Sequence, residues 1–435
     1  EIASCLVGSE MCIRDRLYEE INMKKRVVIT GMAPICSLGT NHEEMFKNLC
    51  EKKQIKELIP KDTPARKKLR TKYYVPYPVF EEERFAEQLK YVKARGSKSS
   101  YLAAAAALLA LEDAKIKQPD EDTRVYVGVG APNMAELYDQ VVGFKENMKM
   151  NINAIPLSMQ SSVAAWISII LGLHGKSMTI SMACASGTEA IGAGYESILE
   201  GKCKLALCGG SDYLSDPNLT LLKGFEYLKA VSNAEDGIPR NFSEERKGFL
   251  FSEGAAAILV LEELEHALER NATIYAEVTG FESSSDGFNI ISMYPDGRVI
   301  KKMLEKLIKN KKIDYYNAHG TATKLNDGME ECVIKELFGG IETQPAISAT
   351  KGLVGHTLGA SGAIEAIVCA DAICHNKVHA NSCGTIIKDL NITEEARDYK
   401  IDTAISASYG FGGHNAAIMI CLLYTSDAAD EARSV

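Results

Sequence analysis

Short apolar runs alternate along this chain with longer Ala- and Leu-rich stretches. Residues 26–31, 124–130, 177–182, 205–209, 256–261, 276–280, 314–318, 346–350, 403–408 and 416–420 have the length and the Val/Ile/Ala content of buried strands. Residues 99–115, 186–200, 298–309, 328–338 and 361–375 have helical length and composition. Strands alternating with helices predict an α/β protein whose sheets are covered by helices. Residues 51–87, rich in charge and proline, break the rhythm and read as an irregular or helical excursion. A faint internal echo is present. Residues 177–212 run strand, small-residue turn, Ala/Gly-rich helix, strand, and 346–378 repeat the first three steps. Two similar halves, meeting near 271–280, would bring both turns to one seam.

Composition narrows the class. The 435 residues are 46% hydrophobic and 25% charged, as in ordinary globular proteins. A net charge of −9 argues against wholesale nucleic-acid binding while leaving room for a local basic patch. The apolar run 163–173 is too short to span a bilayer and reads as a buried helix, so no membrane association is expected.

The ends read differently from the middle. Met11-Cys12-Ile13-Arg14-Asp15 and Cys421-Leu422-Leu423-Tyr424-Thr425-Ser426 can be encoded by reverse-complementary DNA, the mark of translated library adapter. Residues 1–22 and 421–435 are therefore expected to be non-native tails. Met23 is the expected start, and Met23-Lys24-Lys25-Arg26 runs into a strand with no apolar leader, which suggests a cytoplasmic protein. Setting aside Cys5, Cys12 and Cys421 leaves nine cysteines and no C-x-x-C pair, which argues against a zinc site. Cys36, Cys50, Cys203, Cys208, Cys332, Cys369, Cys374 and Cys383 read as small buried hydrophobes.

Cys184 stands apart. Ser181-Met182-Ala183-Cys184-Ala185-Ser186-Gly187-Thr188 follows an apolar strand and opens a helix of small residues. A cysteine at a helix N-terminus faces the positive end of the dipole and free N–H groups, which lower the thiol pKa and can hold an oxyanion. A small buried cysteine in a tight turn fits the same spacing. Asn317-Ala318-His319-Gly320-Thr321-Ala322-Thr323 and Lys351-Gly352-Leu353-Val354-Gly355-His356-Thr357-Leu358-Gly359-Ala360 each set a histidine among glycines and hydroxyls. A lone histidine is more often structural. Tyr409-Gly410-Phe411-Gly412-Gly413-His414-Asn415 is a glycine-rich loop with a bulky ring, and a hairpin turn would account for it.

Taken together, in this order and spacing, the four segments resemble β-ketoacyl-(acyl carrier protein) synthases of the elongating Cys-His-His type, members of the thiolase superfamily. The resemblance covers nearly all of 23–420, with support from Val27-Val28-Ile29-Thr30-Gly31-Met32, Gly209-Gly210-Ser211-Asp212, Arg246-Lys247-Gly248-Phe249 and Ser252-Glu253-Gly254-Ala255. It implies a thiolase-like fold of two pseudo-symmetric halves in an α-β-α-β-α layering, 23–270 carrying the nucleophile and 271–420 both histidines. It implies an acyltransferase that loads an acyl group on Cys184 and condenses it with decarboxylated malonyl carrier protein, as in fatty-acid elongation. Under the same resemblance His319 and His356 bind the malonyl thioester oxygen, Lys351 and Glu365 form a buried ion pair, and the N–H groups of Cys184 and Phe411 form the oxyanion hole. Phe411 gates the acyl pocket, and Thr321 and Thr323 bind the pantetheine arm. No metal or organic cofactor is implied, since the thioesters supply the activation. The implied partners are acyl carrier protein and a second subunit, identical or related.

Some residues depart from the family pattern. Asn289 and Ile291 replace its usual histidine and threonine in a second gating loop, the following segment 292–299 is short, and Tyr409 and Ala322 stand where phenylalanine and serine are commoner. Acyl preference and the choice between fatty-acid and polyketide or polyene pathways therefore stay open. A basic rim for an acidic carrier is expected at Lys93, Arg95 and Lys98; a second basic run, Arg66, Lys67, Lys68, Arg70 and Lys72, reads first as solvated surface. The rival thiolase reading lacks a late catalytic cysteine within 406–415. An initiating synthase would carry Asn where His356 stands, and a non-catalytic partner subunit would tend to lose the nucleophile.

Overall fold

A computed structural model describes residues 25–63, 65–387 and 389–424. The proposed start at Met23 and most of both tails lie outside these residues. Ten strands form one mixed sheet: β1 (Val27–Ile35), β2 (Arg124–Gly128), β3 (Ser177–Ile180), β4 (Leu205–Tyr213), β5 (Gly254–Glu263), β6 (Ala276–Ser285), β7 (Tyr315–Asn317), β8 (Ala346–Ser348), β9 (Thr403–Gly410) and β10 (His414–Cys421). Their spatial order is β8-β7-β9-β10-β6-β1-β5-β4-β2-β3. Each expected strand is present, with ends shifted by a few residues. Cys421, placed in a tail by the sequence reading, is the last residue of β10 and pairs with Thr403 and Glu277.

The sheet is two copies of one pattern. In each half three strands run parallel (β3, β2, β4 and β8, β7, β9), then two antiparallel strands lead to the centre. The halves meet through three antiparallel pairs between β1 and β6, Val27–Val278, Val28–Glu277 and Ile29–Ala276. The echo noted in the sequence is this repeat.

Six helices matter for the site: α1 (Lys98–Asp113), α2 (Ser162–Leu171), α3 (Ser186–Leu199), α4 (Arg298–Ile308), α5 (Lys324–Phe338) and α6 (Ser361–His375). α3 and α6 pack on each other and on strands of both halves, while α1 and α4 cover the outer faces. The layers are therefore α-β-α-β-α. The two central helices touch almost backbone to backbone, because a Cβ on Gly187 would meet Gly359 O at 2.5 Å and Ala363 N at 3.0 Å. α6 is buried from Ser361 to Ile373, so the apolar stretch Leu358–His375, long enough to cross a membrane, is 89% enclosed by the protein. α5 starts four residues before the expected 328 because the Thr323 hydroxyl caps it, accepting from Asn326 N.

Residues 51–87 are irregular, as their composition suggests: a two-residue strand pair (Glu57–Leu58 with Tyr73–Tyr74) and short 3₁₀ turns at Arg66–Lys68 and Glu82–Phe85. The expected burial of the cysteines fails at three positions. Cys374 is exposed, and Cys50 and Cys332 are partly so.

Candidate active site

Cys184 lies in the turn between β3 and α3, just ahead of the helix. Ala183 before it has φ +50°, a left-handed conformation that L residues other than Asn, Asp and Gly seldom adopt. The turn is held by the Ser186 hydroxyl, which accepts from Met182 N at 2.8 Å and donates to Ala183 O at 2.7 Å. Ala322, between Thr321 and Thr323, and Leu358, two residues after His356, are also left-handed (φ +59° and +48°). Strained backbone thus flanks each chemical segment, as it often does at functional sites.

The second half brings the histidines. His319 leaves the end of β7. Its backbone N and that of Gly320 donate to the Glu330 carboxylate on α5, at 2.8 and 2.9 Å. Asn241 donates from its side chain to Gly320 O. His356 follows β8, and its Nε2 lies 3.2 Å from Cys184 Sγ. Its Nδ1 accepts from Leu358 N at 3.3 Å, so the ring proton sits on Nε2 and points at the sulfur. The two imidazoles are edge to face at 5.8 Å, and the nearest ligand atoms of Cys184, His319 and His356 all lie within 4.8 Å of one another. All three side chains are buried.

Burial decides the charge states. Both imidazoles are held well below the usual histidine range by desolvation and by the nearby Lys351 ammonium, so both are neutral. For the thiol the expectation from the helix N-terminus is overturned. Burial pushes Cys184 up to about 12, although Lys351 and the N–H groups of Cys184 and Phe411 pull it down; Asp212 adds to the rise. Desolvation of the thiolate outweighs the dipole because Cys184 is buried. The resting group is a thiol, and the two N–H groups that face its sulfur come from β9's turn and from Cys184 itself.

Lys351 and Glu365 form an ion pair at 2.5 Å with both side chains almost fully buried. Among the described residues Glu365 Oε2 has no hydrogen-bond partner, and burial raises this carboxyl to about 7 against the pull of Lys351. Phe411 opens a 3₁₀ turn in the β9–β10 hairpin, so the glycine-rich loop is a hairpin turn that also reaches the site. Its ring stacks with Phe225 at 6.3 Å. Gly410 is needed for close approach, since a Cβ there would meet Met182 O at 2.9 Å and Cys184 N at 3.1 Å. Thr321 and Thr323 hydroxyls lie 3.0 Å apart. Cys184, His319, His356, Thr321, Thr323 and Phe411 line one cavity of about 70 Å³ with Phe225, Phe249, Ile291, Met293 and Tyr409. Lys351 and Glu365 stand behind it.

Several supporting residues were not assigned from the sequence. The buried Asp212 carboxylate accepts from Gly130 N (2.9 Å), Ala131 N (3.2 Å) and Gly359 N (2.6 Å), tying three turns together beneath Cys184. Asp327 accepts from Phe242 N and Ala322 N at 2.8 and 3.0 Å. The Tyr409 hydroxyl pairs with that of Tyr316 at 2.8 Å, which donates to Glu330 at 3.2 Å. The only sequence signal was an acid in the glycine-rich stretch 209–212. The partners lie far away along the chain.

Comparison with known proteins agrees with this geometry. Residues 24–267 match the model of the β-ketoacyl synthase N-terminal domain and 275–383 that of the C-terminal domain. A 3-oxoacyl-[acyl-carrier-protein] synthase 1 of Buchnera aphidicola is 30% identical over 91% of this chain and 99% of its own length. Two solved structures share the fold. The ishigamide ketosynthase/chain length factor aligns with a TM-score of 0.82 and 27% identity. A type II polyketide synthase acyl-carrier protein in complex with its ketosynthase, bound to the hexaketide, aligns at 0.79 and 25%. Each alignment covers 92% of this chain and all of the other. Matched through both halves in sequence and in fold, the chain belongs to the β-ketoacyl synthase family.

Proposed function

We propose that this protein is an acyltransferase that condenses an acyl thioester with a malonyl thioester, both carried on acyl carrier protein, as in fatty-acid chain elongation. The observation that carries the reading is the Cys184 Sγ–His356 Nε2 distance of 3.2 Å, with neutral His319 beside it and all three facing one cavity. In the first half-reaction Cys184 sulfur attacks the acyl carbonyl. Its proton leaves with the carrier thiol, and the Cys184 and Phe411 N–H groups hold the oxyanion. In the second, the malonyl thioester loses CO₂ and its carbonyl oxygen becomes an enolate. The neutral N–H groups of His319 and His356 suit that oxygen, because an N–H donor stabilises developing negative charge without giving up its proton. The enolate carbon then attacks the acyl-enzyme. A carbon–carbon bond forms, the Cys184 thioester breaks, and the sulfur regains a proton from water.

Lys351, fixed by Glu365, supplies the positive field that favours the thiolate and keeps the imidazoles neutral. Thr321 and Thr323, whose side chains line the same cavity, would hydrogen-bond the pantetheine arm. A cavity of about 70 Å³ is far smaller than ordinary ligand pockets, so a chain enters only when Phe411 swings away from Phe225.

A polyketide or polyene substrate is the second reading. Ile291 and Met293 line the cavity from the loop that departs from the family pattern, which makes that wall apolar. A second subunit, identical or related, fits the open side of β3 and the helix Met134–Asn147, which buries none of its residues and exposes Leu137, Val141 and Phe144. Intact mass of the protein and of Cys184→Ala after incubation with different acyl carrier proteins tests the reading. One acyl adduct per chain, absent from the variant and released as a longer product by malonyl carrier protein, is expected. No adduct from any donor on folded protein would sink it.

A further inference from the structure

A buried histidine that the mechanism does not use, His379, stands behind β7 and β8. We infer that His379 is a positioning residue for the malonyl half-reaction, an inference that rests on the condensing reading above. Its imidazole locks the ends of the two strands together and so fixes where the His319 ring stands in the cavity. The strands are paired in parallel only as far as Asn317 and Ser348, followed by one more bond, Ala318 N to Ser348 O at 2.8 Å. His319 comes two residues after Asn317, and Lys351 directly after Thr350. Beyond the ladder, side chains keep the two segments in place. Lys351 is held by Glu365, and the His319 backbone is held on one side by Glu330. The other side is held through Asn317, Thr350 and His379.

One tautomer sets the direction of the whole group. His379 Nδ1 lies 2.6 Å from Ala380 O, which can only accept, so the ring proton is on Nδ1 and Nε2 is an acceptor. Two hydroxyls point at Nε2, Ser348 at 2.9 Å and Thr350 at 3.0 Å. With its own hydrogen so committed, Ser348 Oγ accepts from the Tyr315 hydroxyl. The two amide hydrogens of Asn317 go to Tyr315 Oη at 3.1 Å and Thr350 Oγ1 at 2.9 Å. All five residues are buried. Burial also lowers His379 to about 4 despite its bond to Ala380 O, so the acceptor nitrogen stays free of a proton at neutral pH. Asn381 Oδ1 accepts from Ala349 N at 2.7 Å, so Ser348, Ala349 and Thr350 are each bonded to the segment 379–381. Without His379, among the described residues, the Ser348 hydroxyl has only Tyr315 to turn to and Thr350 only Asn317 Oδ1 at 3.3 Å. The ends of β7 and β8 then lose their common anchor.

The test uses H379L, H379Q and T350V in the full chain. Release of CO₂ from malonyl carrier protein reads the malonyl half-reaction, and adduct mass reads acylation of Cys184. In H379L decarboxylation is expected to fall about 10²-fold through kcat with KM unchanged, since a misplacement of about 1 Å suffices for that. Acylation, whose N–H groups come from Cys184 and Phe411, is expected to change by less than about threefold. T350V should show the same split, and adding it to H379L should cost nothing further, as for members of one network. H379Q, whose amide oxygen can accept both hydroxyls, should recover most of the rate. Side-chain NMR of protein carrying nitrogen-labelled histidine should show the His319 signals displaced in H379L and T350V and restored in H379Q. Equal losses in both half-reactions that track the urea midpoints, or a glutamine variant no better than leucine, would overturn the inference. So would decarboxylation by H379L at the parental rate. If H379L fails to fold, T350V and H379Q carry the comparison. A parent protein that neither takes an acyl group nor releases CO₂ would fault the condensing reading instead, while the NMR signals still judge His379.

Discussion

Replacing Lys351 by methionine separates what the buried ion pair does for the fold from what it does for the chemistry. The pair lies at 2.5 Å with side chains 2% and 1% exposed, and among the described residues Glu365 Oε2 has no hydrogen-bond partner. K351M leaves that carboxylate buried without its counterion, at a cost of about 3–5 kcal/mol. The cost depends on pH in a definite direction. Burial raises Glu365 above its unfolded value of 4.5 to about 7 even with Lys351 present, and removing Lys351 raises it further. A carboxyl with a raised folded pKa contributes stability that is present below the unfolded value and lost as pH rises through the folded one. K351M is therefore expected to lose more stability at pH 8 than at pH 5.5. The double variant K351M/E365L replaces both charges with apolar bulk and should return to within about 1 kcal/mol of the parent or exceed it. Activity should not return with it. Lys351 is the largest influence lowering the Cys184 pKa, and each unit of further rise cuts the thiolate about tenfold. Urea midpoints at both pH values and the time course of acyl adduct formation provide the two readouts. A stability loss in K351M below about 1 kcal/mol, or a double variant that acylates at the parental rate, would refute the reasoning.

Three further outcomes follow from the site. Alkylation of Cys184 by iodoacetamide should climb about tenfold per pH unit from pH 7 to 10 without a plateau, in a C374S background that removes the exposed thiol; a plateau below pH 8 would contradict a thiol held near 12. Zinc should inhibit and protect Cys184 from alkylation, reversibly with chelator, because thiol and imidazole ligand atoms lie within 4.8 Å of one another; zinc inhibition undiminished by H356A would place the metal elsewhere. Gly410→Ala should slow acylation by about 10²–10³-fold through displacement of the oxyanion N–H groups, since its Cβ would stand 3.1 Å from Cys184 N; near-parental rates would show that the turn yields.

The strands were legible because each is a short apolar run bounded by small residues, and the repeat was legible because both halves use the same strand–turn–helix wording around Cys184 and Lys351. What escaped was set by residues distant in sequence. The thiol pKa came out reversed because the local motif displays a helix N-terminus but not the walls that exclude water from it. Asp212, Asp327 and Glu330 work as acceptors for backbone N–H groups, and Asp212 reaches across to Gly359, 147 positions away. Nothing in the neighbourhood of Tyr409 announces that its hydroxyl joins Tyr316 and Glu330. Helix Met134–Asn147 was not anticipated: none of its residues is fully buried, so no strongly apolar face marks it in the sequence.

The division of the site between the two halves governs when the protein becomes reactive. A ribosome delivers the half with Cys184 first, while His319, His356 and the N–H of Phe411 follow in that order. Until the β9–β10 hairpin has closed against β6, the sulfur lacks the Phe411 N–H, one of the two N–H groups that face it in the folded protein. An unfinished chain therefore displays Cys184 without the second-half groups that surround it in the folded protein.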